Sequence, residues 1–308
     1  TLPIITIVIV FTVLSLLLQI FIPYQEYARY LKYLSFVLIA YIIAGLCIDL
    51  VWKDVVYATF IPHISFDKES VLLICAILGT SISPYLFFWQ TSQEVEEKIA
   101  HHNGKEVTKK EITLADNKHT IRDMRFDVWT GMLFSNITMF FIIAVCGAVL
   151  FPNGVFDIET ASQAAEALLP FAGEKAYLLF TLGIVGTGLL AVPILAGSSA
   201  YAIAETFRFK EGLYHKYREA KAFYGVIIVS MIVGLLITFV GIHPMKALLY
   251  SAILNGIIAP LLLMVIVYLA SRESIMGAWK NTRIQSFLGW LITGIMTVAS
   301  VATIWFLV

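Results

Sequence analysis

The residues best suited to chemistry in this sequence are a few polar side chains inside long apolar runs. Thr80, Ser83 and Pro84 lie together in LGTSISPYLFFWQ, and Asn255 lies in SAILNGIIAP. Because proline has no backbone N–H and clashes with the preceding turn, we expect a helix through Pro84 to break. Carbonyls freed by a break at membrane depth line a cavity or contact protein groups, and transporters bind cations through such carbonyls.

Two interpretations of these residues are open from their types and spacing alone. An ordinary proline kink, with serine and threonine hydroxyls bonding the freed backbone, accounts for Pro84 as well as an ion site does. Asn255 needs a partner inside a helix bundle, because burying an unpaired amide is costly, and that partner is either a protein group or a ligand. The glycine-rich run that begins at Gly183 favours close packing of helices.

Ionisable groups are nearly absent from the apolar runs. Asp49 is the one acidic residue inside such a run, and all six histidines lie in the connecting segments. A hydrolase or protease at membrane depth needs facing carboxylates, a Ser/His pair or a His/Glu metal site. The sequence therefore predicts a protein that is not an enzyme and has no catalytic residues, and no cofactor is expected.

The composition places the chain in a membrane. Of its 308 residues 59% are hydrophobic and 14% are charged, against roughly 25% charged residues in soluble domains. The 21 Lys and Arg balance the 21 Asp and Glu, which excludes a nucleic-acid binder with a basic face. Apolar runs of about 20 residues are long enough to cross a bilayer as helices.

Eight such runs predict an all-α integral membrane protein with a single transmembrane domain over residues 1–308. The runs are continuous, whereas the strands of a membrane β-barrel alternate in segments of about ten residues. The predicted spans are 3–22, 33–52, 70–89 (broken near Pro84), 128–151, 176–203, 223–240, 247–269 and 287–308.

The basic residues predict the orientation of these spans. Alternate connections hold seventeen Lys and Arg on one side and four on the other. By the positive-inside rule the seventeen are cytoplasmic, so both ends of the chain are expected outside the cytoplasm. The charged segment 94–127 is then a cytoplasmic loop.

At SPYLFFWQTSQEVEE the sequence resembles the sixth helix of the NRAMP divalent metal transporters, where Ala-x-x-Met-Pro-His stands at a break in a LeuT-type fold. It is similar to a bacterial NRAMP-related branch with Ser-Pro-Tyr at this position. The resemblance implies a secondary transporter of the bacterial inner membrane that works by alternating access. It also implies that the chain corresponds to helices four to eleven, with the first three upstream of Thr1.

The resemblance assigns a role to each candidate site residue. Thr80 falls where a backbone carbonyl contacts the metal, Ser83 falls on a ligating methionine, and Pro84 falls on the proline of the break. Tyr85 and Gln90 replace two histidines and so stand at gate or proton-path positions.

The tenth helix of the family supplies the opposite wall. Ala252 falls on a glutamine that approaches the ion, and Asn255, one turn further on, is the polar residue that would substitute for it as a metal ligand. The principal ligands of the family belong to a first-helix motif that this sequence does not contain. The resemblance therefore implies that these eight helices alone form an incomplete metal site.

The residue at position 83 bears on which ion is transported. A thioether ligand selects transition metals, whereas the hydroxyl of Ser83 suits hard cations, which oxygen ligands hold. The expected substrate is a divalent cation of the Mn²⁺ or Mg²⁺ class, and the expected partners are that ion and the lipid bilayer. Two alternatives are another LeuT-fold carrier, such as a Na⁺-coupled amino-acid transporter, and a membrane scaffold that transports nothing.

Overall fold

The computed structural model describes residues 4–22, 24–61, 65–101, 114–156, 158–241 and 243–307. Every regular element in those ranges is helical, in agreement with the predicted all-α class. The α-helices are α1 Ile4–Phe21, α2 Tyr24–Leu34, α3 Ile39–Leu46, α4 Trp52–Phe60, α5 Lys68–Ser81, α6 Pro84–His101, α7 Leu114–Val145, α8 Ala161–Phe207, α9 Lys221–Phe239, α10 Pro244–Ala270, α11 Glu273–Met276 and α12 Arg283–Leu307.

Six helical segments of the described chain are long and apolar enough to cross a membrane, by length and composition. Two further apolar helices are shorter, and each predicted span overlaps one of these eight segments. The six are Arg29–Leu46, Lys68–Glu97, Ile121–Asn153, Gly173–Phe207, Pro244–Ala270 and Arg283–Leu307, and the two shorter ones are Val8–Phe21 and Lys221–Ile237.

Two predicted segments differ from the structure in detail. The span 33–52 is not one helix, because a 3₁₀ turn at Ser35–Leu38 separates α2 from α3 and the chain leaves the helix after Leu46. The predicted loop 94–127 is helical at both ends, since α6 continues to His101 and α7 begins at Leu114. Residues 102–113 of that loop lie outside the described chain.

The chain divides into two compact units. The first comprises residues 1–60 and 88–243 and contains α7, α8 and α9. Within it, Gly183 and Gly186 of α8 lie against the side chains of Tyr41 and Val37, and the Tyr41 ring meets Phe180 edge-on at 5.1 Å. The glycine-rich run thus permits close helix packing, as its small residues predict.

The second unit comprises residues 61–87 and 244–308 and is built from α5, α10 and α12. Gly79 of α5 lies so close to α10 that an added Cβ would overlap the carbonyl oxygen of Ala252 and the backbone of Gly256. The Ser300 hydroxyl of α12 donates to the Gly256 carbonyl at 2.8 Å. The three helices therefore converge at Gly256, where backbone meets backbone.

We expect Gly79→Ala to lower the thermal midpoint of the purified protein in detergent. The new methyl group would meet backbone atoms, which cannot rotate away, and overpacking of this kind costs about 1–3 kcal/mol. Gly294→Ala on α12 is the matched control, because apart from the local backbone of α12 no atom of the described residues lies within 4 Å of its added Cβ. Equal midpoints for the two variants would show that α5 and α10 do not depend on this contact.

Candidate functional site

The candidate site is built around an interruption between α5 and α6. The first helix ends at Ser81, and Ile82 adopts φ −121° and ψ 67°, outside the helical region. The second helix begins at Pro84. A proline is well tolerated at that first helical position, because the backbone donor it lacks would have no partner there.

Ser83 lies in the interruption and provides a hydrogen-bond donor for carbonyls at the end of α5. Its hydroxyl donates to the carbonyl of Gly79 at 2.7 Å and to that of Thr80 at 2.9 Å, and the residue is fully buried. A continuous helix would pair the Thr80 carbonyl with a backbone N–H at position 84, which proline does not have. The Ser83 hydroxyl takes over that role.

Thr80 offers the site its carbonyl and not its side chain. Its hydroxyl donates back to the carbonyls of Ala76 at 2.8 Å and Ile77 at 2.9 Å. The carbonyl of Thr80 stands at the C-terminal end of α5, where the helix dipole places partial negative charge and favours a cation. The end of α5 therefore presents neutral oxygens in a weakly negative setting.

Asn255 lies on α10 next to the Gly256 contact. Its side chain is half-buried, and its amide makes no hydrogen bond with any described residue. Ala252, one turn earlier, is buried and presents its carbonyl to Gly79. The Gly79–Gly256 contact thus brings the turn of α5 that contains Thr80 beside the turn of α10 that contains Asn255.

The two residues assigned to gate or proton-path positions lie further along α6. Tyr85 is half-buried in its first turn, immediately after the proline. Gln90 is exposed and donates from Nε2 to Oε1 of Glu94 at 3.0 Å. Gln90 belongs to the first compact unit, whereas Tyr85 and the interruption belong to the second.

The described residues bring together no group of three or more His, Cys, Asp or Glu side chains. The ligands available at the interruption are therefore neutral carbonyl, hydroxyl and amide oxygens. A dication in a site of low dielectric needs compensating negative charge. The neutral oxygens at the interruption would not supply that charge.

The position of Glu96 differs from the prediction for its segment. Glu96 falls in the predicted cytoplasmic loop 94–127, but it lies on α6 and is 1% exposed. A signal for it exists in the sequence, since Trp89 and Glu96 are seven positions apart and no helix breaker separates them. Residues at that spacing occupy the same face of a helix.

Comparison with known proteins adds an independent finding. A sequence model described as natural resistance-associated macrophage protein-like, Nramp, matches residues 1–306. The chain is 23% identical over 243 residues to the divalent metal cation transporter MntH of Clostridium acetobutylicum, covering 78% of this chain and 51% of that protein.

Two further relatives bear the same name. The chain is 24% identical over 261 residues to MntH of Klebsiella pneumoniae, covering 85% of this chain and 57% of the relative. It is 23% identical over 250 residues to MntH of Bacillus subtilis, covering 80% and 53%. The chain therefore spans about half the length of the curated relatives it matches.

We expect Ser83→Ala to destabilise the protein more than Ser81→Ala. The first change removes the buried hydroxyl that bonds two carbonyls at the end of α5, and a buried group left unsatisfied costs about 1–3 kcal/mol. The Ser81 hydroxyl donates to the Ile77 carbonyl in an exposed position, where water can replace it. Thermal unfolding in detergent measures both variants, and an equal loss would contradict a capping role for Ser83.

Proposed function

The chain belongs to the Nramp family, and on that premise we propose that it forms part of a secondary transporter that moves divalent metal cations by alternating access. The LeuT-type fold of this family is all-α, in accord with the helices described above. The relatives it matches are named divalent metal cation transporters, which supports the same substrate class for the whole protein.

The observation that carries the proposal is the interruption capped by Ser83. Membrane helices are interrupted where the freed backbone groups line a cavity or meet protein, and an interruption ending in carbonyls suits a cation. The Thr80 carbonyl and Ser83 would line the path of the ion on one side. Asn255 would complete the opposite wall.

The donor types favour a hard cation of the Mn²⁺ or Mg²⁺ class. Carbonyl, hydroxyl and amide oxygens are hard ligands, and Mg²⁺ in particular keeps several waters when it binds. The Ser83 hydroxyl already donates to two carbonyls, so its oxygen retains lone pairs with which to accept. Because Ser83 is fully buried, a water on the ion, or the ion itself, would reach those lone pairs when the residues around the interruption move apart during transport.

The remaining residues of α6 and the membrane setting belong to the same proposal. Tyr85, beside the interruption, and Gln90, further along α6, are the proposed gate or proton-path positions. We propose that the multi-pass chain lies in the bacterial inner membrane, with the basic connections in the cytoplasm and both ends outside it. Membership of the family gives no support to an amino-acid carrier.

Uptake into proteoliposomes by the full-length protein tests the transport function. We expect Mn²⁺ or Mg²⁺ to enter in a saturable manner along its gradient. No flux of any divalent cation would contradict the proposal and favour a membrane scaffold.

Substitution of Ser83 tests whether this position faces the ion. We expect Ser83→Met to raise uptake of Cd²⁺ and Mn²⁺ relative to Mg²⁺, because a thioether is a soft ligand. Ser83→Leu is the matched control, with a side chain of similar volume and no sulfur. The same Cd²⁺ to Mg²⁺ ratio in both variants would show that position 83 does not contact the ion.

A further inference from the structure

The buried carboxylate of Glu96 joins α6 to the segment that connects α8 and α9. Its Oε1 accepts the hydroxyl of Tyr201 at 2.5 Å and the backbone N–H of Leu213 at 2.5 Å. Its Oε2 accepts the backbone N–H of Tyr214 at 3.1 Å. Hydrogen bonds to a carboxylate are about twice as strong as those between neutral groups.

The connecting segment has a backbone shape that suits this role. Gly212 precedes the two donor amides and has φ +120°, which an L side chain rarely adopts. A Cβ there would also collide with the Tyr214 ring and come within 2.9 Å of Glu96 Oε1. The Tyr224 hydroxyl donates to the carbonyl of His215 at 2.8 Å, which fixes the chain just beyond the amides.

A second contact holds the same face of α6. The Trp89 ring covers Gly197 of α8 so closely that a Cβ on Gly197 would lie 2.5 Å from Cζ3 of Trp89. The same ring meets Tyr201 at 6.2 Å between centroids. Trp89 and Glu96 together fix the C-terminal part of α6 at two points about two turns apart.

The free-energy cost of burying Glu96 indicates that its attachment has a role beyond packing. The carboxylate makes no ion pair with any described residue, so hydrogen-bond donors alone compensate it. Burying a charge is costly unless it is fully satisfied, and apolar residues of similar shape often provide equal or greater stability. Packing alone therefore does not call for a carboxylate at this position.

The cavity beside Glu96 does not indicate that the Glu96 carboxylate is a metal ligand. It has a volume of about 180 Å³ and is also lined by Glu205 and Glu211. Burial, and then repulsion from Glu205, raise the pKa of Glu211. The three carboxylates do not converge as a metal-binding group within the described structure, and both oxygens of Glu96 already accept protein donors.

We propose that Glu96 is a positioning residue for ion transport, fixing the part of α6 that follows the interruption to the connection between α8 and α9. This inference rests on the proposed function. The helix runs about 18 Å from Pro84 to Glu96, and the attachment holds its C-terminal part, from Trp89 to Glu96, against α8 and the segment that follows it.

Glu96→Gln in the full-length transporter tests this role. Glutamine keeps one acceptor oxygen and turns an NH₂ group toward one of the donors, so a hydrogen bond to a charged group is lost. We expect Vmax for Mn²⁺ or Mg²⁺ uptake to fall about tenfold, the kinetic equivalent of that bond. We expect KM to change by less than about twofold, because Glu96 does not touch the ion.

Two further variants provide a second test and a control. Tyr201→Phe removes one donor and leaves the ring in place, and we expect Vmax to fall about threefold, as for a weaker single bond. If Glu96→Gln yields no folded protein, Tyr201→Phe decides the matter, and wild-type Vmax in that variant overturns the inference. Glu97→Gln, an exposed neighbour on the same helix, is expected to keep wild-type Vmax.

Hydrogen exchange gives a readout that does not depend on transport. The backbone amides of Leu213 and Tyr214 should exchange faster in Glu96→Gln than in wild type or Glu97→Gln. Unchanged exchange at both amides, or wild-type Vmax in Glu96→Gln, overturns the positioning role. Absence of Mn²⁺ and Mg²⁺ uptake by the wild type instead overturns the proposed function, and the role of Glu96 in transport with it.

Discussion

The backbone N–H that Pro84 lacks is the constraint on which the site depends. In an apolar setting each backbone carbonyl needs a donor, and the carbonyl of Thr80 loses its helical partner at position 84. The chain meets this requirement by ending α5 at Ser81 and turning the Ser83 hydroxyl back onto two carbonyls. Oxygens are thereby gathered at a helix end, so one local requirement of the backbone creates the electrostatic conditions for a cation.

The two interpretations that the sequence leaves open are compatible at the interruption. A serine that repairs a proline kink could also serve the proposed ion path, because a hydroxyl donates with its proton and accepts with its lone pairs. The structural role of Ser83 is visible in its two hydrogen bonds. The proposed role as a ligand uses the part of the hydroxyl that those bonds leave available.

Much of the fold could be predicted because the signals are local. The proline, the apolar runs and the glycines of α8 each act through their own covalent geometry or hydropathy. The 3₁₀ turn at Ser35–Leu38 could not be predicted, since it interrupts an apolar run without a breaker residue. The burial of Glu96 depends on amides 117 and 118 positions away in the chain, so the helical spacing of Trp89 and Glu96 indicates a shared face but not the partners of the carboxylate.

The candidate site, too, could be predicted from the sequence only in part. The contact between Gly79 and Gly256 explains why. The chemistry of Thr80 and Asn255 can be predicted from their residue types. The proximity of the helical turns that contain them depends on a contact between two glycines, and the residues next to those glycines in the sequence do not predict that contact. Because that contact involves main-chain atoms, it fixes the spacing of α5 and α10 whatever side chains flank it. The flanking positions are therefore free to vary without disturbing the scaffold, so the chemistry presented beside this contact can change one side chain at a time.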